Sequence, residues 1–319
     1  MLQPFRGGGN LMVLSFDPPP HMADAYVQTR SLTKRYGSLT ALDDCRLEIR
    51  RGEVFGLLGP NGSGKTTLLR LLMGFLRPSA GEATIDGLDC YRESLAVHRR
   101  VAYLPGDAKL FPQMRGRDVL RFFSRVRPNA DFARSLALAE RLKLDLSRRV
   151  AALSTGTRQK LALAAVLAFD TPLVVLDEPT SNLDPTVRSD VLALVREARS
   201  AGRTVIFSSH VLDEVEHVCD RVGILRQGRL VCLQLMAELR RQHRIRATLT
   251  APLPNVPHEL AGQLEIAVDD GRLTVLTPGE LSPLLGWLAT LPLAEVQIEP
   301  VGLRAVYDRF HSAANGGRA

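Results

Sequence analysis

The chain has 319 residues, 45% of them hydrophobic, a formal net charge of +7 and four cysteines. That length suits one large domain and a smaller one, and the apolar content is ample for a core. No stretch can cross a membrane as a helix: the most apolar one, Leu161 to Leu176, is broken by Asp170 and Pro172 and falls short of the ~20 residues required.

The positive charge fits nucleic acid, an anionic membrane surface or nucleotide phosphate, or simply a solvated basic surface. The last reading is favoured and nucleic acid is not expected, because the chain has no basic tract or aromatic ladder. Cys45, Cys90, Cys219 and Cys232 lack metal-like spacing and fit a reduced, cytosolic compartment.

Residues 1–21 carry Arg6, a glycine run and Pro18-Pro19-Pro20 but no continuous apolar core of a signal peptide, and are expected to be a disordered extension. The fold begins near Met22. Tyr36 lies 23 residues before Gly59. It is either ordinary packing or a flat face for adenine, where stacking is worth roughly 1–3 kcal/mol.

Glu53 to Leu58 reads as a buried parallel strand, and Thr67 to Leu72 as a helix. Between them Gly59-Pro60-Asn61-Gly62-Ser63-Gly64-Lys65-Thr66 spells G-x-x-x-x-G-K-T, a phosphate-cradling loop. Its glycines let the backbone curl until N–H groups face phosphate oxygens, and the helix N-terminus adds positive potential. Lys65 can reach the β- and γ-phosphates, and the Thr66 hydroxyl can bind Mg²⁺. Thr67 completes the nucleotide-binding set.

Further on, in Leu153 to Lys160 (LSTGTRQK), Ser154 makes a good helix N-cap beside Gly156, and Leu161 to Phe169 continues as a helix. A capped helix start with a glycine is a second anion site. One cradle already exists, so the second implies a phosphate supplied by another copy. Leu173 to Leu176 is a buried strand ending in Asp177 and Glu178. Ligands in parallel sheets sit at the carboxyl ends of strands. Two buried acids there are costly without a cation or a solvent cleft. Asp177 is placed to hold Mg²⁺, and Glu178 to polarise an attacking water. Ser181-Asn182-Leu183-Asp184 follows, then a helix from Thr186 to Ser200 and a strand from Thr204 to Phe207 that leads to His210. The imidazole can reach a γ-phosphate.

In this order the motifs resemble the ATP-binding cassette family, specifically a stand-alone nucleotide-binding subunit of an ABC transporter, over about residues 24 to 240. The resemblance implies an α/β P-loop NTPase cassette: a mostly parallel core sheet, an antiparallel β subdomain and a helical subdomain. It makes Tyr36 the adenine-stacking aromatic, residues 59–66 Walker A and Leu153 to Lys160 the signature. It also makes Leu173 to Glu178 Walker B with Glu178 the catalytic base, Ser181 to Asp184 the D-loop, and His210 the switch histidine. It implies ATP and Mg²⁺ as ligands and a head-to-tail homodimer across two ATP. Integral membrane permease subunits are the implied partners, with a peripheral location on the cytoplasmic face.

Two departures stand out. The signature carries Thr155 and Thr157 where the family most often has glycine and glutamine. After Tyr103-Leu104-Pro105 the expected Q-loop glutamine is replaced by Gly106-Asp107; Asp107 can stand near Mg²⁺, but an ionised carboxylate donates no hydrogen bond. This pattern is similar to drug, antibiotic and lipid-type exporters with separate membrane subunits. An importer ATPase is one alternative. A soluble cassette ATPase acting on ribosomes or DNA is another, though those usually carry two cassettes or long insertions. In the loop from Pro105 to Arg115, Leu110, Phe111 and Met114 either pack within the helical subdomain or form a socket for a short cytoplasmic helix of the partner.

From about residue 245 the character changes. Strands are expected at Arg246 to Ala251, Leu264 to Val268, Arg272 to Leu276 and Glu295 to Ile298, with a hairpin at Asp270-Gly271 and helices at Leu281 to Leu291 and Leu303 to His311. The expected organisation is an extension over 1–21, a cassette over 22–240 and a small α+β accessory domain over 245–319. The last is equally a regulatory or dimerising module and a structural cap.

Overall fold

The structure is a computed structural model that describes residues 25–127, 130–260, 264–277, 279 and 281–312. The expected extension over 1–21 lies outside the described residues. The chain divides into two compact units between Leu233 and Gln234.

In the first unit, β1 (Ala25–Tyr36) and β2 (Leu39–Arg50) pair antiparallel across a tight turn at Gly37. Then come β3 (Val54–Leu58) and α1 (Lys65–Leu72), followed by β4 (Ala80–Ile85) and β5 (Leu88–Asp89). Strands β2-β1-β4-β5 form an antiparallel sheet. Next are α2 (Ser94–Arg100), β6 (Val101–Leu104) and three helices, α3 (Gly116–Val126), α4 (Phe132–Arg141) and α5 (Thr155–Leu167), which pack on one another. The unit continues with β7 (Leu173–Asp177), α6 (Pro185–Ser200), β8 (Thr204–Ser209), α7 (Leu212–Val218), β9 (Arg221–Arg226) and β10 (Arg229–Leu235).

The second sheet runs β10-β9-β3-β8-β7-β6, and β9, β3, β8, β7 and β6 pair in parallel. Strands β3 and β7 are buried at every position, as parallel strands covered on both faces must be. Helix α1 joins the layers. Its Leu68, Leu69 and Leu72 share one core with Val27, Leu42 and Ile49 of the antiparallel sheet and with Phe55, Leu57, Val175 and Ile206 of the parallel sheet. Each such leucine contributes about 1.5–3 kcal/mol on burial. That packing fixes the helix whose first turn carries Lys65 and Thr66.

The second unit contains α8 (Met236–Arg241), β11 (His243–Leu249), β12 (Glu265–Asp269), β13 (Arg272–Thr277), α9 (Ser282–Leu288), β14 (Leu293–Pro300) and α10 (Gly302–Ser312). Its antiparallel sheet has the order β12-β13-β11-β14. Asp270 and Gly271 both take positive φ, 45° and 73°, the primed hairpin turn that the sequence signals. Ile245, Leu273 and Val275 of the sheet bury against Leu284, Trp287 and Leu288 of α9. The neighbouring positions Arg244 and Arg246 instead pair with Glu299, at 3.6 and 3.3 Å.

Candidate nucleotide site

The loop between β3 and α1 is held from behind. Gly64 adopts φ +108°, and a Cβ there would stand 2.7 Å from the Ala41 carbonyl oxygen, so conformation and space both require glycine. The turn between β9 and β10 buttresses the loop: the Gly228 N–H donates to the Ser63 carbonyl (3.0 Å), and the Gly228 carbonyl accepts from the Asp43 N–H (2.9 Å). Ser63 N–H donates to the Pro60 carbonyl at 3.1 Å. Among the described residues, the N–H groups of Gly62, Gly64, Lys65, Thr66 and Thr67 have no backbone acceptor. The buried Ser63 hydroxyl has no partner either. A row of unspent donors at a helix N-terminus is what a phosphate group fits. Gly59 closes the strand side of the loop, and Pro60 and Asn61 are exposed on its outer edge.

The buried Lys65 ammonium donates to the Gly59 carbonyl at 2.6 Å and lies 3.2 Å from Glu178 Oε1. Oε1 has no hydrogen bond of good geometry, so this contact is an ion pair. Glu178 Oε2 lies 2.7 Å from His210 Nδ1. A carboxylate only accepts, so Nδ1 carries the proton and donates. Beside them Thr66 Oγ1 donates to Asp177 Oδ2 at 3.0 Å, and Ser208 Oγ donates to Asp177 Oδ1 at 2.7 Å. Asp177 is buried at the end of β7 and forms no salt bridge among the described residues. Its charge is felt nearby: the Tyr103 phenol is pushed up to about 12, first by burial and then by Asp177. A carboxylate and a hydroxyl side by side are hard oxygen donors, so Thr66 and Asp177 fit a divalent cation such as Mg²⁺.

The structure thus joins Lys65, Thr66, Asp177, Glu178 and His210 in one connected network. The other expected residues lie outside those bonds. Tyr36 is 46% exposed at the end of β1, with the Lys34 ammonium 5.1 Å from its ring centroid. Ser154 is exposed, caps α5 by accepting from the Thr157 N–H at 3.2 Å, and shares a hydrogen bond with the Thr157 hydroxyl at 2.8 Å. Gly156 faces the D-loop segment of its own chain: a Cβ would meet the Asn182 carbonyl oxygen at 2.8 Å. Asp184 caps α6 through the Val187 N–H at 3.0 Å. The Asp107 side chain is 86% exposed and pairs with Lys109 at 3.8 Å. Phe111 is 45% exposed and packs edge-on against Phe122, while Leu110 and Met114 are half-buried.

Two residues escape the sequence reading. Ser208 touches both acids of the β7 end. Glu214, buried on α7, accepts from the Thr180 and Ser209 hydroxyls at 2.8 Å each and so ties the segment after Glu178 to the one before His210. The only sequence signal for Glu214 is its place one residue before Val215 and four before Val218, both on the buried side of α7.

Comparison with known proteins agrees with this geometry. The family model described as ABC transporter matches residues 42–181. The daunorubicin resistance ATP-binding protein DrrA3 of Streptomyces coeruleorubidus is 36% identical over 300 residues, covering 89% of this chain and 93% of that protein. Among solved structures, an ATP-binding subunit of an ABC transporter superposes with a TM-score of 0.63 at 26% identity, covering 67% of this chain and 92% of the other. The cassette MJ0796, solved as a dimer in a post-hydrolysis state with ADP and Pi, shares the fold with a TM-score of 0.61 at 23% identity, over 66% of this chain and 98% of its own. With a phosphate loop, two strand-end acids and a histidine on one α/β scaffold, and a relative matched along nearly its whole length, this chain belongs to the ABC transporter family as an ATP-binding ATPase subunit.

Proposed function

We propose that the chain binds and hydrolyses ATP as a head-to-tail homodimer at the cytoplasmic face of a membrane. There it powers an exporter whose path is formed by separate integral membrane permease subunits. The observation that carries the chemistry is Glu178, held between Lys65 at 3.2 Å and His210 at 2.7 Å beside the Asp177–Thr66 pair. The Glu178 carboxylate accepts the proton of the attacking water, and the His210 N–H keeps that carboxylate in place. Lys65 supplies positive charge to the β- and γ-phosphates, and the free N–H groups of Gly62 and residues 64–67 cradle them. Thr66 and Asp177 would hold Mg²⁺, which supplies charge neutralisation at the phosphate oxygens. Tyr36 offers a stacking face to adenine. Ser154 and Gly156 at the α5 N-terminus, with Asp184 two residues beyond the Asn182 that Gly156 faces, serve the ATP of the second copy.

The export direction is supported by the resistance role in the name of DrrA3, and dimeric action by the dimeric form of MJ0796. Phe111, exposed beside Phe122 on the helical set, is the proposed anchor for a helix of the permease. Residues 22–240 serve as the cassette, 245–319 as an accessory domain and 1–21 as an extension.

Glu178→Gln tests the core of this reading. It keeps the shape and removes the base, so ATP binding should persist while turnover falls by about 10²–10⁴-fold. An ATP-bound dimer should accumulate on size-exclusion chromatography. Turnover within a factor of two of the wild type would overturn the assignment.

A further inference from the structure

Among the described residues, Ser208 Oγ is the one side-chain atom that hydrogen-bonds to both acidic residues at the end of β7. In the parallel pairing of β7 and β8, Asp177 and Ser208 are direct partners. That register places the hydroxyl 2.7 Å from Asp177 Oδ1, to which it donates. The same oxygen accepts from the Glu178 backbone N–H at 2.9 Å. A hydroxyl has one proton to give, and here it is committed to Asp177. One of its two lone pairs accepts from Glu178. The residue is fully buried, so water does not replace either bond.

The second bond has mechanical weight. Glu178 adopts φ +49°, a region that a glutamate rarely enters. In this conformation its carboxylate spans Lys65 and His210 at once. The Ser208 acceptor holds the peptide whose rotation would undo that arrangement. Asp177 meanwhile is fixed by two hydroxyls from two different elements, Thr66 on α1 and Ser208 on β8. With Oδ1 tied from the sheet side, Oδ2 stays directed at Thr66.

We infer that Ser208 is a positioning residue for ATP hydrolysis, its single hydroxyl setting both the metal-side carboxylate of Asp177 and the backbone of the base Glu178. This rests on the proposed roles of Asp177 and Glu178. It predicts a split: nucleotide affinity without metal depends on the loop and is spared, while metal affinity and turnover both fall.

The test uses the full chain and the isosteric pair Ser208→Thr and Ser208→Val, with Ser208→Ala as the variant that adds no methyl group to the core. Thr keeps the hydroxyl in the shape that Val presents without it. Expected for Val and Ala are a roughly 10-fold or greater loss of kcat with KM for ATP within about threefold of wild type. The Mn²⁺ half-saturation of the ATP complex, read by electron paramagnetic resonance, should rise several-fold, and metal-free ATP affinity should stay unchanged. Thr should recover most of both losses. Should the added methyl unfold Thr and Val alike, Ala alone decides through the Mn²⁺ and kcat readouts. Ala equal to wild type in both, or folded Thr and Val equal to each other, overturns the role of Ser208. Glu178→Gln run in parallel separates the two failures: if that variant is inactive while Ala is normal, the base stands and only the Ser208 inference falls.

Discussion

A non-glycine residue in the left-handed region costs about 1–2 kcal/mol, and Glu178 sits there at φ +49°. The cost persists because the side chain gains an ammonium at 3.2 Å and an imidazole N–H at 2.7 Å. Strain of this kind concentrates at reacting groups. Tyr36 is the contrasting case, unstrained and exposed, with Lys34 near its ring. As the proposed stacking face, Tyr36→Ala should weaken ATP binding by about 5- to 150-fold, the equivalent of roughly 1–3 kcal/mol. Tyr36→Phe and Tyr36→Trp should bind within about threefold of wild type. Titration calorimetry on the three variants decides, and an unchanged Kd for the alanine variant would remove the stacking role.

Single residues were legible where a motif names them. Lys65 and Thr66 follow from the glycine spacing, and Asp177 and Glu178 from two acids closing an apolar run. Ser208 was not legible, because its meaning comes from the register of two strands separated by α6. Glu214 was hidden because an acid inside a short helix reads as solvent-facing until the Thr180 and Ser209 hydroxyls are found beside it.

At the scale of elements, helix starts do much of the positioning. Asp184 caps α6, and its carboxyl is held below the usual aspartate range, first by the Val187 N–H. The sign follows directly. A folded-state value below the unfolded one means that the contribution is present above the ordinary pKa of about 3.9 and is lost as pH falls through the folded value. Asp184→Asn keeps an acceptor at the cap and removes the titration. The Tm advantage of wild type over this variant should therefore shrink as pH is lowered from about 6 to about 3. Parallel Tm curves over that range would show that the cap charge is irrelevant.

Elements with a strong period or a strong turn were readable in advance. The apolar runs of β3 and of β7 up to Asp177 and the Asp270-Gly271 hairpin emerge as expected, and the α6 segment forms one residue longer, from Pro185. The helix after the signature starts at Thr155, directly behind the expected Ser154 cap, and ends at Leu167, two residues short of Phe169. The two-residue β5 is too short to carry a pattern. Strand β14 breaks its alternation at Glu295, which takes φ +53° where the pairing with β11 shifts.

At the scale of the molecule, the four cysteines are all buried, and burial pushes the Cys45 thiol up to about 11 and the Cys90 thiol to about 12. Neither offers a thiolate near neutral pH, so both serve as packing residues rather than nucleophiles.

The support that Gly228 gives to Ser63 also has a temporal side. Strand β3 lies between β8 and β9, and the loop after it leans on a turn that is 165 residues further along (228 − 63). At ~5–20 residues per second, the ribosome needs roughly 8–33 s to deliver that turn after Ser63. For most of this interval, until β8 is made, the nascent chain carries the complete glycine-rich motif with neither sheet neighbour of β3 in place. Nucleotide is therefore expected to become a ligand only once synthesis has passed β9, and not to act as an early folding template. Ribosome-stalled chains ending at successive positions should fail to be retained on immobilised ATP until Gly228 has emerged, and then be retained abruptly. Retention by chains that stop after α1 would show that the loop forms without its distant brace.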